Sequence, residues 1–199
     1  MKYTQVAADA FAKLQLNAGI LLTDFNPTTG ALDKTKIFAA TSGGTTFTAT
    51  PEYIDFGEDI DNVPANTMEL KKQQSVEVKL SGTAKTIDSP SAKMLIGACD
   101  VDGVKLTPRR DLLETDFADI WWVGDYSDKN GDTNGGFVAI HVINALNTGG
   151  FSLKSNDDGK ADLDFEFTGH YSIADVTVVP FEMYIQSGTA EPTRPSTGD

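Results

Sequence analysis

The chain has 199 residues, of which 40% are hydrophobic, and this content is enough for one core and therefore for one domain. Its formal net charge of −13 argues against tight binding to duplex DNA or to an anionic membrane, although it allows a protein that DNA passes without being held. Cys99 is the only cysteine, so no intrachain disulfide can form.

Residues 1–12 contain one lysine, one aspartate and no long apolar run, so we predict no signal peptide. No apolar stretch approaches the ~20 residues that a membrane-spanning helix needs. These features predict a protein that is made and kept in the cytosol unless a larger assembly carries it elsewhere.

Alternating side chains and turn residues predict mainly strands in the first half of the chain. In chain order, we predict a short helix at 6–16 and strands at 19–24, 36–41, 45–54 and 75–87. The glycine pair at 43–44 is predicted to separate the second and third strands, and residues 56–68 are predicted to form an acidic loop. The last strand has the clearest pattern, because Val76, Val78 and Leu80 alternate with polar residues.

Ser89-Pro90 predicts the start of one helix that reaches Cys99, with serine as the N-cap and proline at the first helical position. Further strands are predicted at 119–124, 136–146, 151–155, 160–170 and 177–186. This order predicts an all-β fold, either a β-sandwich or a partly rolled barrel of two packed antiparallel sheets, with one flanking α-helix. The domain is expected to span residues 1–187, and residues 188–199 are expected to form a flexible tail.

Carboxylates alternate with apolar side chains along one predicted strand, in the order Asp162, Leu163, Asp164, Phe165, Glu166, Phe167. Because side chains alternate between the two faces of a strand, the three carboxylates are predicted to lie on one face and the apolar side chains on the other. The sequence shows no local partner for these three charges. Because like charges without partners repel one another, such a row indicates that negative charge on that face has a function.

Asp128, Asn130 and Asp132 have the spacing of the first three ligands of a calcium loop. The sixth position of such a loop, normally glycine, is Thr133, and the twelfth, normally glutamate, is Ala139. We therefore predict an ordinary hairpin loop, and weak binding of another cation there stays open.

His141 and His170 are the only histidines, and no cysteine or second histidine lies within ligand spacing of either one. They are predicted to be core or interface residues rather than catalytic bases or zinc ligands. Nucleophile, phosphate-loop and dinucleotide-binding motifs are absent, and no carboxylate pair is singled out for glycosidase chemistry. We predict no catalytic residue, no metal ligand and no cofactor, so the protein is not expected to be an enzyme.

Trp121 and Trp122 are adjacent and therefore point to opposite faces of their strand. One is predicted to lie in the core, and the other either under the helix or in a contact with another subunit. The strand at 138–143 is apolar on both faces, which predicts that it is covered on both sides by the helix and by a neighbouring subunit.

Three segments resemble the major tail protein, or tail tube protein, of long-tailed, non-contractile phages and prophages of Firmicutes. They are Ala-Thr-Pro-Glu-Tyr-Ile-Asp-Phe-Gly-Glu-Asp-Ile-Asp-Asn at 49–62, Asp-Ile-Trp-Trp-Val-Gly-Asp-Tyr-Ser at 119–127, and Asn-Ala-Leu at 144–146 with the Thr-Gly-Gly-Phe that follows. The likeness covers roughly residues 14–187. None of these segments encodes catalytic chemistry.

The resemblance implies a phage tail tube fold of two packed antiparallel sheets with a flanking helix. In that family six copies close a ring, each copy adds about four strands to an inner barrel, and stacked rings form the tube through which DNA is ejected. The long loop between early strands, here about 34–68, and the terminal arms make contacts between rings. Implied partners are other copies, a tape-measure protein, and baseplate and terminator proteins, in a virion assembled in the host cytoplasm.

Twenty-four tilted strands form a barrel about 45–50 Å across, which leaves a channel wide enough for duplex DNA. An acidic lining lets DNA slide, whereas a basic one would hold it. We therefore predict that the lumen is lined by Asp162, Asp164, Glu166 and Glu77. The predicted contacts between subunits or rings involve Phe47, Tyr53, Phe56 and Trp122.

Other readings stay open at this stage. A monomeric carbohydrate-binding or adhesion sandwich of a phage or bacterium requires an exposed aromatic platform. A sheath, head-completion or tail-terminator protein would stop at one ring. A hydrolase requires a constellation of catalytic groups that the sequence does not show.

Overall fold

The computed structural model describes residues 6–7, 9–126, 135–155, 157 and 159–189. This part of the chain is mainly β, with a single α-helix, as predicted. The elements in chain order are β1 (Gln15–Leu22), β2 (Ile37–Ala39), β3 (Thr41–Asp55), β4 (Lys71–Ala84), α1 (Ser89–Ile96), β5 (Cys99–Asp102), β6 (Lys105–Pro108), β7 (Ala118–Tyr126), β8 (Gly136–Asn147), β9 (Ser152–Lys154), β10 (Asp162–Thr168) and β11 (Phe181–Gln186).

Two antiparallel sheets share strand β8. The first sheet has the order β2-β1-β7-β8-β11, and the second has the order β8-β10-β4-β3, with the short β9 on the edge of β10. Strand β8 pairs with β7 over residues 136–145 and with β11 over residues 137–142, and then with β10 at Leu146 and Asn147. Asn144, with a φ of 48°, lies near the end of the first stretch, two residues before Leu146. Asparagine tolerates this left-handed backbone, so the strand passes from one sheet into the other without a loop.

The main core lies between the two sheets. It contains Leu21 and Ile120 from the first sheet and Leu80 from the second, all 0% exposed. The rings of Phe38 and Phe167 meet edge to face across this core, with centroids 5.5 Å apart. Full burial of one such side chain stabilises a fold by about 1.5–3 kcal/mol. The apolar halves of both alternating patterns, at 76–80 and 163–167, point into this core as predicted.

A second apolar cluster lies on the other face of the first sheet. Trp121, Phe137 and Ala139 are buried there beneath Phe25, whose ring centroid is 5.2 Å from that of Phe137. The loop at 23–36 supplies Phe25, and Gly30, at a φ of 64°, lies so close that a Cβ there would be 2.9 Å from the Phe137 ring. Part of the cover that the sequence analysis assigned to a neighbouring subunit therefore comes from the chain itself.

Helix α1 begins one residue earlier than predicted, because Asp88 and not Ser89 is the N-cap. The Asp88 carboxylate accepts a hydrogen bond from the Ser91 amide at 2.8 Å, and the Ser91 hydroxyl accepts one from the Asp88 amide at 2.9 Å. This reciprocal pair provides acceptors for two backbone amides at the helix N-terminus that have no partner within the helix. The helix ends at Gly97, where φ is 82°. A hairpin of β5 and β6, which was not predicted, follows.

Two other local predictions were wrong. The predicted helix at 6–16 is reduced to a single 3₁₀ turn at Phe11–Lys13, and Gln15 already belongs to β1. The glycine pair at 43–44 does not end a strand but forms a bulge inside β3, with φ values of 77° and 81°. Glycine adopts this conformation without strain, so the pairing with β4 resumes on the far side. The predicted loop at 128–132 lies outside the described residues, as does the predicted tail at 188–199 except for its first two residues.

Candidate assembly surfaces

The outward side of the second sheet carries hydroxyl and charged side chains, and we call it the polar face. The strand pairing shows which residues belong to this face. Phe47, Leu80 and Phe167 lie opposite one another on β3, β4 and β10, and they point into the core. The residues between them point outward. They are Thr46, Thr48 and Thr50 on β3, Glu77, Lys79, Ser81 and Thr83 on β4, and Asp162, Asp164, Glu166 and Thr168 on β10.

The three carboxylates of β10 have partners, contrary to the sequence analysis, because β4 runs beside them. Asp162 forms an ion pair with Lys85, and Asp164 accepts a hydrogen bond from the Thr83 hydroxyl at 2.7 Å. Glu166 lies 3.8 Å from the ammonium group of Lys79. The antiparallel register places these groups opposite or diagonal to one another, which is the arrangement that stabilises neighbouring strands.

Lys79 joins the fourth predicted lumen residue to this row. Its ammonium group lies 2.8 Å from the Glu77 carboxylate as well as close to Glu166. The hydrogen bond to Glu77, followed by the charges of Glu77 and Glu166, raises the pKa of Lys79 above its usual value. Asp162, Asp164, Glu166 and Glu77 therefore lie on one face, where four carboxylates meet the two ammonium groups of Lys79 and Lys85.

The composition of the polar face limits its chemistry. Among the outward residues of β3, β4 and β10 named above, none is aromatic, so the face offers no stacking platform for a sugar ring or a base. Among the residues named above and their ion-pair partners, four carboxylates outnumber the two ammonium groups of Lys79 and Lys85, so these residues offer no cluster of cations for phosphates. The face suits contact with water and weak, sliding contact with a polyanion.

The hairpin of β3 and β4 projects beyond the main core as an arm. The register shifts between Glu52 and Tyr53, and the two strands continue to the pair Asp55 and Lys71. The region from 52 to 75, which we call the arm, ends in a tip loop at residues 56–70. Four of its apolar side chains are exposed, namely Tyr53 (55%), Phe56 (58%), Ile60 (47%) and Met68 (80%). Exposed apolar side chains grouped on one projection are typical of a protein contact.

Hydrogen bonds hold the tip loop in one shape. The Asp55 carboxylate accepts from the Gly57 amide at 2.9 Å and from the Asn66 amide at 2.6 Å. The Phe56 amide donates to the Leu70 carbonyl at 3.0 Å, and the Lys71 ammonium donates to the Asn66 side chain at 3.0 Å. The loop forms neither helix nor strand over most of its length, as predicted, but these hydrogen bonds give it a defined shape.

Phe47 and Trp122, the other two predicted contact residues, are partly buried against the main core. The Phe47 ring lies 5.3 Å from that of Phe181, and the Trp122 N–H donates to the Ala18 carbonyl at 3.0 Å. Both line a small cavity of about 160 Å³ with Gln15 and other residues. Both side chains are therefore buried by contacts within their own chain. Their role in contacts between subunits stays a prediction.

An open groove of about 400 Å³ lies where the arm leaves the core. It is lined by Ala49, Pro51, Gln73, Val76, Val179 and Phe181. A catalytic pocket needs polar groups that converge on a substrate, and this lining supplies one amide among apolar side chains. The groove thus offers surface for contact and no catalytic chemistry.

His141 lies against the second cluster, as a core or interface histidine would. Its ring stacks on Trp121 with centroids 3.9 Å apart, and its two nitrogens lie 3.0 Å from Asp119 and 3.4 Å from Glu182. The contact with Asp119 has ion-pair distance but poor hydrogen-bond geometry. A hydrogen bond from the Tyr184 hydroxyl, with a smaller contribution from His141, holds the pKa of Glu182 below its usual value.

His170 has a polar partner within the chain. Its Nδ1 lies 3.1 Å from the Asn144 carbonyl, and its ring packs edge to face against Phe117 at 5.1 Å. Among the described residues, no group of three or more His, Cys, Asp and Glu side chains is arranged to hold a metal ion. In the same part of the chain, no helix has the length and apolar character needed to cross a membrane.

No protein-family model and no curated protein sequence matches the chain. Two solved structures share some of its backbone path. The first, described as the virion of a native gene transfer agent particle, is 10% identical with a TM-score of 0.41, over 87% of this chain and 96% of that chain. The second, the tail of an empty gene transfer agent particle with C6 symmetry, is 8% identical with a TM-score of 0.36, over 78% of this chain and 92% of that chain. Both scores are below 0.5, so this likeness assigns neither a family nor a function.

Two features of these surfaces were not found from the sequence. The lysine partners of the acidic row require the register between β4 and β10, which are about 80 residues apart in the chain. The role of Asp55 had a local signal, because an aspartate two residues before a glycine often accepts that residue's amide in an Asx turn. That signal is present in Asp55-Phe56-Gly57, where the Gly57 amide donates to the Asp55 carboxylate.

Proposed function

We propose that this chain is a structural virion protein of a phage-like tail, in which hexameric rings stack into a hollow tube for DNA ejection. The observation that carries this proposal is the polar face, a broad sheet surface with hydroxyl groups, excess carboxylates and none of the aromatic or basic clusters that would hold nucleic acid. Such a surface is suited to the wall of a channel through which DNA must move freely.

In this assignment the polar face lines the lumen, with Asp162, Asp164, Glu166 and Glu77 as its acidic groups. Their partners Lys79 and Lys85 reduce the repulsion among them without reversing the sign of the wall. The wall then presents mixed but net negative charge to the phosphates. DNA is repelled weakly at every position and held at none.

Ring closure requires strands of neighbouring copies to pair, and the chain has edges available for this. Strand β3 is at one edge of the second sheet, and the short β9 and the end of β8 are at the other. The edge of β3 is 15 residues long. An open edge of this length favours addition of a strand from another chain. Copies joined through the second sheet would form a continuous inner barrel.

Contacts between subunits or rings are assigned to the arm through Tyr53 and Phe56, with Phe47 and Trp122 as further candidates. The aromatic side chains of the arm are exposed in the isolated chain and would be buried by a neighbour. A tape-measure protein inside the tube, and baseplate and terminator proteins at its ends, are the other proposed partners. The proposed location is the virion, after assembly in the host cytoplasm, and no enzymatic activity or cofactor is assigned.

The alternative is a monomeric β-sandwich that binds or adheres to a ligand, and the open groove near Val76 and Phe181 favours it. Negative-stain electron microscopy of the purified chain, at increasing concentration and after mild heating, separates the two. Hollow rods built of stacked rings are expected. Compact particles of monomer size under every condition would favour the binding module.

The orientation of the polar face is tested by labelling rods of the Asp164→Cys variant. The native Cys99 is 1% exposed and provides a low background. A small thiol reagent is expected to label Cys at 164 in the rods, whereas the same reagent coupled to a protein wider than the channel is expected to fail. A matched Val104→Cys variant, at a position 96% exposed in the chain, controls for reagent access. Equal labelling at 164 by both reagents would contradict a lumen position.

A further inference from the structure

The tip loop is joined at its base by one carboxylate. Asp55 is the last residue of β3, and its two oxygens accept hydrogen bonds from the amides of Gly57 and Asn66, which are nine residues apart. One side chain therefore links the beginning of the loop to its far end. A carboxylate has enough lone pairs for both bonds at once, so neither amide is left unpaired.

The rest of the loop is built around this link. Val63 and Leu70 pack against Gly57, where a Cβ would be 3.3 Å and 3.2 Å from their side chains. Asn62 and Asn66 adopt left-handed backbone conformations, with φ of 64° and 63°. The loop thus has a small apolar centre and defined turns, while Phe56, Ile60 and Met68 stay outside it and exposed.

We propose that Asp55 is a positioning residue that orders the tip loop in the free chain, so that a second copy meets Phe56, Ile60 and Met68 already in place. This inference rests on the self-assembly assigned above and adds how the contact surface is prepared. A loop that is ordered before contact loses less conformational freedom on association. Without the link, part of this order would have to come from the neighbour.

The charge state of Asp55 fits this role. Hydrogen bonds from the Asn66 amide and then from the Gly57 amide hold the pKa of Asp55 below its usual value, and Lys71 adds a smaller effect of the same sign. At neutral pH the side chain is therefore a carboxylate that accepts both bonds. An asparagine at this position keeps the size of the side chain but has a single acceptor oxygen, so one of the two amides would face an NH₂ group.

The test compares Asp55→Asn with the matched variant Asp61→Asn. Both remove one negative charge from the same segment, but Asp61 is exposed and forms none of the bonds described for the loop. Hydrogen exchange of the non-assembled chain is measured first. Exchange of the Gly57 and Asn66 amides is expected to be about tenfold faster or more in Asp55→Asn, because each loses a bond to a charged acceptor. Asp61→Asn is expected to match the wild type, as are the core amides of both variants.

The second measurement is the concentration at which rods form. An increase of about tenfold is expected for Asp55→Asn and none for Asp61→Asn, with equal unfolding midpoints showing that both variants fold. Unchanged exchange at Gly57 and Asn66 in Asp55→Asn would overturn the proposal. Faster exchange with unchanged rod formation would also overturn it, because the order of the loop would then not serve assembly. If the wild type forms no rods but Asp55→Asn still loosens the loop, the tube function fails and the ordering role of Asp55 stands.

Discussion

Strands β3 and β4 form one continuous hairpin, but its two halves have different surroundings. In the base half, Val78 and Leu80 point into the main core and are fully buried, while β10 pairs with the same strand. In the arm, by contrast, Tyr53, Phe56 and Met68 stay exposed. The base half is stabilised by the fold of its own chain. The arm keeps the same backbone pairing without that cover, so its side chains are available for another molecule.

The largest effect is expected from a cavity in the base half. Leu80→Ala removes a side chain that is 0% exposed between the two sheets. The free energy of unfolding is expected to fall by about 2–5 kcal/mol, because the core relaxes only partly around the lost methyl groups. Urea unfolding followed by fluorescence measures this, and the slope is expected to stay constant. A loss below about 1 kcal/mol would mean that the base half is not part of the main core.

Truncation of an apolar side chain to alanine in the arm should weaken assembly and leave the stability of the free chain nearly unchanged. For Phe56→Ala the free energy of unfolding of the free chain is expected to stay within about 0.5 kcal/mol of the wild type, because the ring is exposed. The concentration needed for rods is expected to rise about tenfold or more, as for a central aromatic residue of an interface.

Phe151→Ala is the matched control for Phe56→Ala, since Phe151 is 47% exposed and lies outside the arm. Sedimentation of rods at a series of concentrations measures both variants. If the two substitutions weaken assembly equally, the arm contributes no more to the contact between copies than the surface around Phe151 does.

Lowering the pH should loosen the tip loop of the arm before it affects the base half. The pKa of Asp55 is depressed in the folded chain, so its contribution is complete above the ordinary carboxyl pKa and is lost as the pH falls through the lower folded value. Neutralisation removes the charge that strengthens the bonds to Gly57 and Asn66. As the pH falls below about 4, the ordinary pKa of an aspartate, protection factors in the tip loop are expected to fall before those of β4 and β10. Simultaneous loss in both regions would show that the tip loop is not an independent unit.

The smallest effect is expected on the polar face of the base half. Lys79→Glu replaces the cation between Glu77 and Glu166 by a third carboxylate. The melting temperature is expected to fall by a few degrees at most, and the difference from the wild type should shrink at high salt. Lys72→Glu on the arm, which makes the same charge change, should have less effect. A large loss that salt does not reduce would indicate packing by Lys79 and not charge.

Much of the strand pattern was predictable because burial leaves a period of two in the sequence. The alternations at 76–80 and 162–167 gave the faces of β4 and β10 correctly, and the two packed sheets followed from the number of such segments. Strands β5 and β6 were missed because each has four residues, which is too short for alternation to stand out. The helix start was misplaced because serine and aspartate are both good N-caps, and only the Ser91 hydroxyl decides between them.

The candidate surfaces were predictable in position but not in their interactions. The sequence placed Asp162, Asp164 and Glu166 on one face, and it placed Tyr53 and Phe56 next to an acidic loop. It did not show Lys79 or Lys85 as partners, because that depends on the register of distant strands. Likewise, the bond from Asn66 to Asp55 spans 11 residues and depends on the path of the loop. Local composition carries no information on such pairings.

Strand β8 leaves one sheet and enters the other without a break, so the two layers of the domain are joined by covalent backbone as well as by packed side chains. A pulling force on the first sheet is therefore transmitted along β8 directly to β10 at Leu146 and Asn147. The layers cannot slide past each other without breaking the hydrogen bonds of this strand. Under load, such a domain should stay rigid up to a threshold and then open in a single step.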